Sequence, residues 1–422
     1  MLNFPALLLQ KWPLRWLWVV ALLSLTLSAP LPRTPLLAAE ARQEGQPATL
    51  RERLQQRLDA IHSQGNFPGA TAGFVLADGT ALALATGYSD RSRRIAMKPT
   101  DRMLAASIGK TFVSAIMMQL VWEGKVNLDD PLQKWFGEQD WFPRLPNAKH
   151  LTIRMLMNHS SGIVAYEVNP QFNRDLSANP DRVWRPEELV GYLLDREPAF
   201  EAGKGWVYSD TNYILVGMII EKATGNPYYQ ELQSRLLDPL GLKDTLPSNS
   251  RIIPGLVQGY IASTRQTTSF FPLIRQGRFM FNPQFEWTGG GLASTSLDIS
   301  RWFKALYEGR AFDKSLLKQV VDGVKADPDD LGQGSLYGLA VVILPTPLGV
   351  SYGHHGIFPG YLTRVMYFPE HRMAVTVQVN TSTREVVGRS MEDFVIELAQ
   401  EVARQEGKPA KRHERLAKSS RK

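Results

Sequence analysis

The sequence predicts an α+β sandwich, in which one antiparallel sheet is flanked by helices from both chain ends and an all-helical lobe is inserted between the two halves of the sheet. Three observations lead there. Strand-like runs cluster towards the two ends of the chain, at 71–85 and 337–379. The middle, from about 125 to 285, reads as short helical patterns broken by Pro and Gly. Helical patterns also stand before the first strand run and after the last.

The elements follow in order. Leu50–His62 repeats apolar residues at helical spacing. Thr71–Leu76 and Thr80–Ala85 read as a hairpin around Asp78-Gly79, a pair suited to a tight turn. A second helix runs from Ser107 to about Glu123, where Gly124 supplies the stop. Tyr213–Ala223 and Tyr228–Leu237 are the clearest helical patterns of the middle. Gly289-Gly290-Gly291 permits a tight turn before a helix at Leu297–Tyr307. Strands return at Tyr337–Leu344, Thr363–Phe368 and Met373–Val379, the last two joined through Pro369-Glu370-His371-Arg372. A helix at Glu385–Gln405 closes the fold. The aromatic stretches Ser269–Phe271 and Phe279–Phe281 are expected to pack in the core, with a substrate rim as the alternative.

Charge and composition narrow the function classes. Hydrophobic residues make up 44% of the 422 and charged residues 21%, which are globular values. The net charge of +7 invites a nucleic-acid reading, but it belongs to the ends. Residues 408–422 hold seven Lys/Arg against one Glu, and residues 1–41 hold three against one. The remaining 42–407 holds 38 basic and 39 acidic residues, so the body is close to neutral and presents no nucleic-acid surface. Lys11 and Arg15 precede the apolar run 16–29, the pattern of an export signal, with Ala39-Glu40-Ala41 as a candidate cleavage site. The expected organisation is a signal peptide or uncleaved signal anchor at 1–41, one globular domain at 42–407, and a basic disordered tail at 408–422. Such a protein is periplasmic or secreted, or anchored by its signal. The tail could give weak association with anionic envelope polymers or lipid head groups. The absence of cysteine excludes disulfides, a thiol nucleophile and thiolate metal sites.

The chemistry concentrates at Ser107-Ile108-Gly109-Lys110. Residues i and i+3 of a helix share a face, so the Lys110 amine can reach the Ser107 hydroxyl. A serine needs a neighbouring base to become nucleophilic, and a helix start favours the negative charge that develops on an attacked carbonyl. Gly109-Lys110-Thr111 also ends like a phosphate-binding loop, but that motif needs a glycine where Leu104 stands.

Two further clusters align with this one: Tyr208-Ser209-Asp210-Thr211-Asn212-Tyr213 before an apolar helix, and Gly353-His354-His355-Gly356-Ile357 before a strand. Together with Leu156–Gly162 and Gly289–Thr295, their order resembles the penicillin-recognising serine hydrolases, in particular the class C β-lactamase group with its D-alanyl-D-alanine carboxypeptidases and esterases. The resemblance covers most of residues 50–400 and implies the β-lactamase/transpeptidase fold. It implies that Ser107 carries the acyl group, and that Lys110 accepts a proton or holds a neighbouring base deprotonated. Tyr208 would pass protons between Ser107, leaving group and water. His354 would orient Tyr208 or meet a substrate carboxylate, and the backbone N–H groups of Ser107 and Ile357 would form the oxyanion hole. Which group is the general base stays open at this level. No metal and no organic cofactor is implied. His159 is expected to support the site or the fold.

Three departures from the family pattern bear on substrate. Asp210 stands where Asn is usual, and an ionised Asp only accepts hydrogen bonds. His354 replaces a Lys, and His355 replaces a small hydroxyl residue. These favour a peptidase, amidase or esterase over an efficient β-lactamase. The expected substrates are small molecules or peptides with a D-amino-acid amide, an ester or a β-lactam, peptidoglycan among them. The alternative is a catalytically weak scaffold that serves as an envelope binding protein.

Overall fold

A computed structural model describes residues 48–263 and 269–405. The export signal expected at 1–41 and the basic tail at 408–422 lie outside these residues. Nine strands form one antiparallel sheet: β1 (Gly69–Val75), β2 (Ala81–Asp90), β3 (Ile95–Ala96), β4 (Val324–Lys325), β5 (Leu336–Tyr337), β6 (Val342–Thr346), β7 (Gly349–Phe358), β8 (Tyr361–Phe368) and β9 (Met373–Val379). Their order across the sheet is β4-β5-β6-β7-β8-β9-β1-β2-β3. The two chain ends therefore meet in the middle, where β9 pairs with β1 and Ala70 lies opposite Val379.

Five helices frame the site: α1 (Leu50–Gln64), α2 (Gly109–Trp122), α3 (Asp210–Thr224), α4 (Ser296–Tyr307) and α5 (Met391–Gln405). The apolar stripes of α1 and α5 cover one face of the sheet, with Leu54, Leu58, Phe394 and Leu398 against Phe74, Val375 and Val377. Thr49 and Glu52 close a reciprocal capping box at the start of α1. The other face receives α4. There Gly73 leaves no room for a side chain, since a Cβ would lie 2.3 Å from the Ser296 carbonyl oxygen, and Ser300 donates to the Gly73 carbonyl at 2.9 Å. Because both faces are covered, β1, β8 and β9 are buried along their whole length. Beyond α4 lie α2 and α3, buried nearly all round, which explains why their sequences lack a polar face. Trp302 of α4 stacks on Phe112 of α2 at 4.0 Å and donates its indole N–H to Thr111.

Several boundaries differ from the sequence reading. The apolar run Tyr337–Leu344 is two strands, because Gly338–Val341 turns the chain and Ala340 adopts φ 62°. The closing helix is broken at Gly388, φ 78°, leaving a short turn at Arg384–Val387 before α5. The histidine cluster does not precede a strand but is one, β7, and Pro359-Gly360 forms the hairpin to β8. The inserted segment is mainly helical, yet it also carries short ribbons, such as Tyr260–Ala262 with Phe270–Pro272. Phe279 is fully buried, whereas Phe271 and Met280 are exposed. Among the described residues no helix is long and apolar enough to cross a membrane.

Candidate active site

Ser107 sits in one 3-10 turn, Ala106–Ile108, that leads directly into α2. Between Met103 and Lys110 it alone keeps solvent exposure. Ala106 before it has φ 51°, a left-handed conformation that costs a non-glycine residue about 1–2 kcal/mol. Tight neighbours hold that turn. A Cβ on Gly109 would lie 1.7 Å from the Gly290 oxygen, and one on Gly356 would lie 2.1 Å from the Ala105 oxygen. The glycine turn Gly289–Gly291 thus closes on one side of Ser107, and β7, with Gly356 followed by Ile357, closes on the other.

Lys110 is completely buried and engages three acceptors. Its amine donates to Ser107 Oγ at 3.1 Å and to the Gly289 carbonyl, and it pairs with Asp210 at 2.5 Å. The carboxylate in contact favours the ammonium, the charged form. Burial alone works to lower its pKa. The Asp210 charge, then Tyr208, outweigh burial and leave it above the ordinary amine value.

Tyr208 and Asp210 are carried to this place by the start of α3. The loop Asn158–Gly162 clamps that start. His159, in a left-handed conformation at φ 65°, accepts at Nδ1 from the Ser209 N–H at 3.2 Å and from the Asn212 amide at 3.1 Å. Ser161 donates to the Asn212 carbonyl oxygen at 2.8 Å. The Tyr208 ring lies under the Lys110 amine at 4.9 Å and against the His159 ring at 4.3 Å. Its buried hydroxyl has no partner in hydrogen-bonding geometry, although Ser107 and Lys110 are near enough to act on its titration. Burial pushes that phenol up to about 12, Lys110 pulls it down and Asp210 pushes it up.

The adjacent histidines of β7 carry opposite tautomers, which their partners dictate. His354 Nδ1 faces the His355 carbonyl at 2.7 Å and must donate, so its Nε2 accepts from the Tyr337 hydroxyl at 2.8 Å. His355 Nδ1 faces the Arg364 guanidinium at 3.4 Å, which only donates, so its proton is on Nε2. His354 is fully buried with both nitrogens engaged by protein, and so is not open to a substrate carboxylate. The ring of His355 lies alongside that of Tyr208, 6.4 Å between centroids. Burial, then positive neighbours, hold His355 down to about 3, and burial holds His354 well below the usual imidazole value.

Two carboxyl groups that sequence reasoning missed complete the surroundings. Glu286 is 4% exposed, accepts from the Gly291 N–H at 3.3 Å, and is pushed up to about 8 by burial and by Asp210. Glu167 neighbours Asp210, and burial together with that charge drives it well above the usual range. Tyr337, Asn212 and Arg364 were also missed as members of the site. Asn212, two positions after Asp210 at the head of α3, was the one with a local signal. Among the described residues no group of three or more His, Asp or Glu is placed to hold a metal ion.

Comparison with known proteins places this arrangement. The beta-lactamase family model matches residues 49–400. A penicillin-binding protein of Bacillus subtilis (strain 168) is 25% identical over 334 residues, which is 76% of this chain and 70% of that protein. A D-aminopeptidase of Brucella anthropi is 26% identical over 74% of this chain, a match that spans just 56% of that longer protein. Among solved structures, the D-amino acid amidase from Ochrobactrum anthropi SV3 superposes with a TM-score of 0.71 at 25% identity, covering 84% of this chain and 99% of that one. The D-stereospecific amidohydrolase from Streptomyces sp. gives 0.68 at 27% identity, covering 79% and 96%. With the family match running across almost all of the described residues and solved relatives sharing the fold, the chain belongs to the beta-lactamase family.

Proposed function

We propose that this protein is an exported serine hydrolase that forms an acyl-enzyme at Ser107 and acts on D-amino-acid amides, peptides or esters. One observation carries the reading: Lys110, at the foot of the half-buried serine, is hydrogen-bonded to it and committed to Asp210. With hydrogen bonds to Ser107 and Gly289 and the Asp210 carboxylate in ion-pair contact, Lys110 serves as fixed positive charge. The unpartnered Tyr208 oxygen is then the group that takes the Ser107 proton as Oγ attacks the carbonyl carbon. Lys110 favours the phenolate form of Tyr208 that accepts this proton, and Tyr208, by then the neutral phenol, returns it to the leaving amine or alcohol. The N–H groups of Ser107 and Ile357 receive the oxyanion. D-selectivity is carried over from the names of the amidase and aminopeptidase relatives, and export from the apolar run 16–29.

The test is intact-mass spectrometry of residues 42–422 after exposure to a fluorophosphonate and to a fluorescent penicillin. One adduct of the expected mass is anticipated, absent from Ser107→Ala, with hydrolysis of D-alanine amide or ester falling at least about 10³-fold in that variant. An adduct that persists in Ser107→Ala would sink the assignment. A second reading, a catalytically weak scaffold that binds envelope material, is favoured by burial and the Asp210 charge, which push the Tyr208 phenol up and so oppose the phenolate. An unlabelled wild-type protein would leave that reading standing.

A further inference from the structure

Glu286 is a buried carboxyl that the proposed reaction does not use, yet it stands behind the turn that touches both Ser107 and Lys110. Its Oε2 accepts from the Gly291 N–H at 3.3 Å. Its Oε1 fills the space beside Gly290. A Cβ on that glycine would collide with this oxygen and lie 2.9 Å from the Ala106 carbonyl carbon. The carboxyl, the glycine turn and the residue before Ser107 therefore meet at one point.

The turn is strained and tied along its length. Trp287, directly after Glu286, adopts φ 36° and ψ −112°, a conformation that a non-glycine residue keeps only where its surroundings impose it. The Gly289 carbonyl accepts from the Lys110 amine, and the Gly290 oxygen packs close against Gly109, between Ser107 and Lys110 in the chain. The Gly291 carbonyl accepts from the Tyr229 hydroxyl at 3.1 Å and from the Ser248 N–H at 2.8 Å, while the Gly291 N–H is left to Glu286.

The charges around Glu286 decide the form in which it does this. Asp210 at the start of α3 and Lys110 of α2 act on it, and the phenols of Tyr166 and Tyr229 feel its charge. Those two hydroxyls donate to the Phe285 and Gly291 carbonyls, so neither donates to Glu286. Lys110 is committed to Asp210. Burial and the Asp210 charge thus favour the uncharged acid. The reaction places negative charge on the carbonyl oxygen held by the Ser107 N–H. A carboxylate beside Ala106 would oppose that charge, whereas a neutral carboxyl does not.

We propose that Glu286 is a positioning residue for the Ser107–Lys110 pair: as an uncharged acid it holds the Gly289–Gly291 turn against both residues, and its ionisation weakens the stabilisation of charge at the serine. The inference rests on the hydrolase reading above and adds a pH control to it. Glu286 touches no reacting atom.

The test is the second-order rate of fluorophosphonate labelling at Ser107 between pH 6 and 9.5, in residues 42–422. The logarithm of the rate is expected to rise with pH as Tyr208 gains phenolate, and to bend over near pH 8, where Glu286 ionises. Glu286→Gln keeps an oxygen for the Gly291 N–H and has no proton to lose. The bend should vanish, so that the ratio of the rate at pH 9 to that at pH 6.5 increases about tenfold over the parent. Glu286→Leu keeps a similar volume and loses the acceptor. Its bend should vanish too, and its rate at pH 6.5 should fall about tenfold below that of Glu286→Gln, the range of one hydrogen bond. A bend that persists in Glu286→Gln would overturn the proposal, and so would equal rates for the Gln and Leu variants at pH 6.5. If Glu286→Leu does not fold, the Gln profile alone decides. Labelling at Ser107 with the same profile in parent and Glu286→Gln would refute this inference and leave the hydrolase reading intact. A parent protein that takes no label would refute both.

Discussion

The inserted segment brings three carboxyl groups, Asp210, Glu167 and Glu286, around one amine, Lys110, while β7 carries two imidazoles, of which His355 lies against the Arg364 guanidinium of β8 and His354 against the Tyr337 hydroxyl. Both walls are buried, and burial penalises every charge on them. The outcomes differ because contact distances differ. Asp210 reaches Lys110 at 2.5 Å and the amine stays charged. Glu286 and Glu167 have no such cation in contact and are driven towards their neutral forms. On the sheet wall His354 and His355 have acceptors, hydroxyls or another cation for company, and both are held neutral. Arg364 keeps its charge because a guanidinium does not deprotonate under these conditions. In this cleft a buried charge therefore survives where an opposite one touches it, or where the group cannot give up its proton.

The largest test of that contrast is to take the amine away. Lys110→Met leaves Asp210 without its partner beside two further carboxyls. Breaking one partner of a buried ion pair costs about 3–5 kcal/mol, so chemical denaturation should show a loss of that size. Covalent labelling of Ser107 should fall by at least about 10³-fold, as for a member of a catalytic unit. Adding Asp210→Asn should recover most of the stability and none of the labelling. A double variant no more stable than Lys110→Met alone would mean that the pair is not what holds this wall together.

Asp210→Asn alone sharpens the point. Asp210 raises Lys110 and Tyr208 alike. Removing it lowers both, so the group that must lose a proton for Ser107 to be activated does so at lower pH. The acid limb of kcat/KM should move down by about one unit or more, the usual effect of an adjacent opposite charge. Activity at neutral pH should then rise by about tenfold. A pH–rate profile on a D-alanine ester decides it. An unmoved acid limb would show that neither Lys110 nor Tyr208 controls it.

Much of this cleft was legible in the sequence, for an identifiable reason. Ser107, Lys110, Tyr208 and Asp210 stand in short local patterns at the starts of α2 and α3, and the structure brings the four together. A single sheet built from both chain ends was implied by strand runs confined to those ends; that β9 pairs with β1 came from the structure. What escaped depends on contacts between segments far apart in the chain. Glu286 and Glu167 sit in unremarkable loop sequence, and nothing local says that Asp210 lies beside them. Arg364 reads as one charged residue in an otherwise mostly apolar strand, and its partner His355 is fixed by the register of β7 against β8. Tyr337 was placed in a longer strand because the turn at Gly338–Val341 is made of residues as apolar as the strands it joins.

The smallest effect separates the walls by pH. A carboxyl whose pKa is raised on folding binds an extra proton in the folded state, so stability falls as pH rises between the unfolded and folded values. For Glu286 that window runs from the ordinary 4.5 to about 8. An imidazole whose pKa is lowered does the reverse: the unfolded chain binds the extra proton, and stability falls as pH drops from 6.5 towards the folded value, about 3 for His355. Each group contributes a slope of up to about 1.4 kcal/mol per pH unit inside its window. Glu286→Gln should flatten the decline above pH 6.5, where only its window runs, and His355→Gln should leave that limb unchanged and make the acid side shallower; between pH 4.5 and 6.5, where the windows overlap, the two substitutions should change the slope in opposite directions. Urea midpoints across pH 4 to 9 separate the two. If both substitutions flattened the same limb, the opposition between the walls would be lost. If each acts on its own limb, the neutral carboxyl and the neutral imidazole are two answers to the same burial, set by which charge each group carries when it ionises.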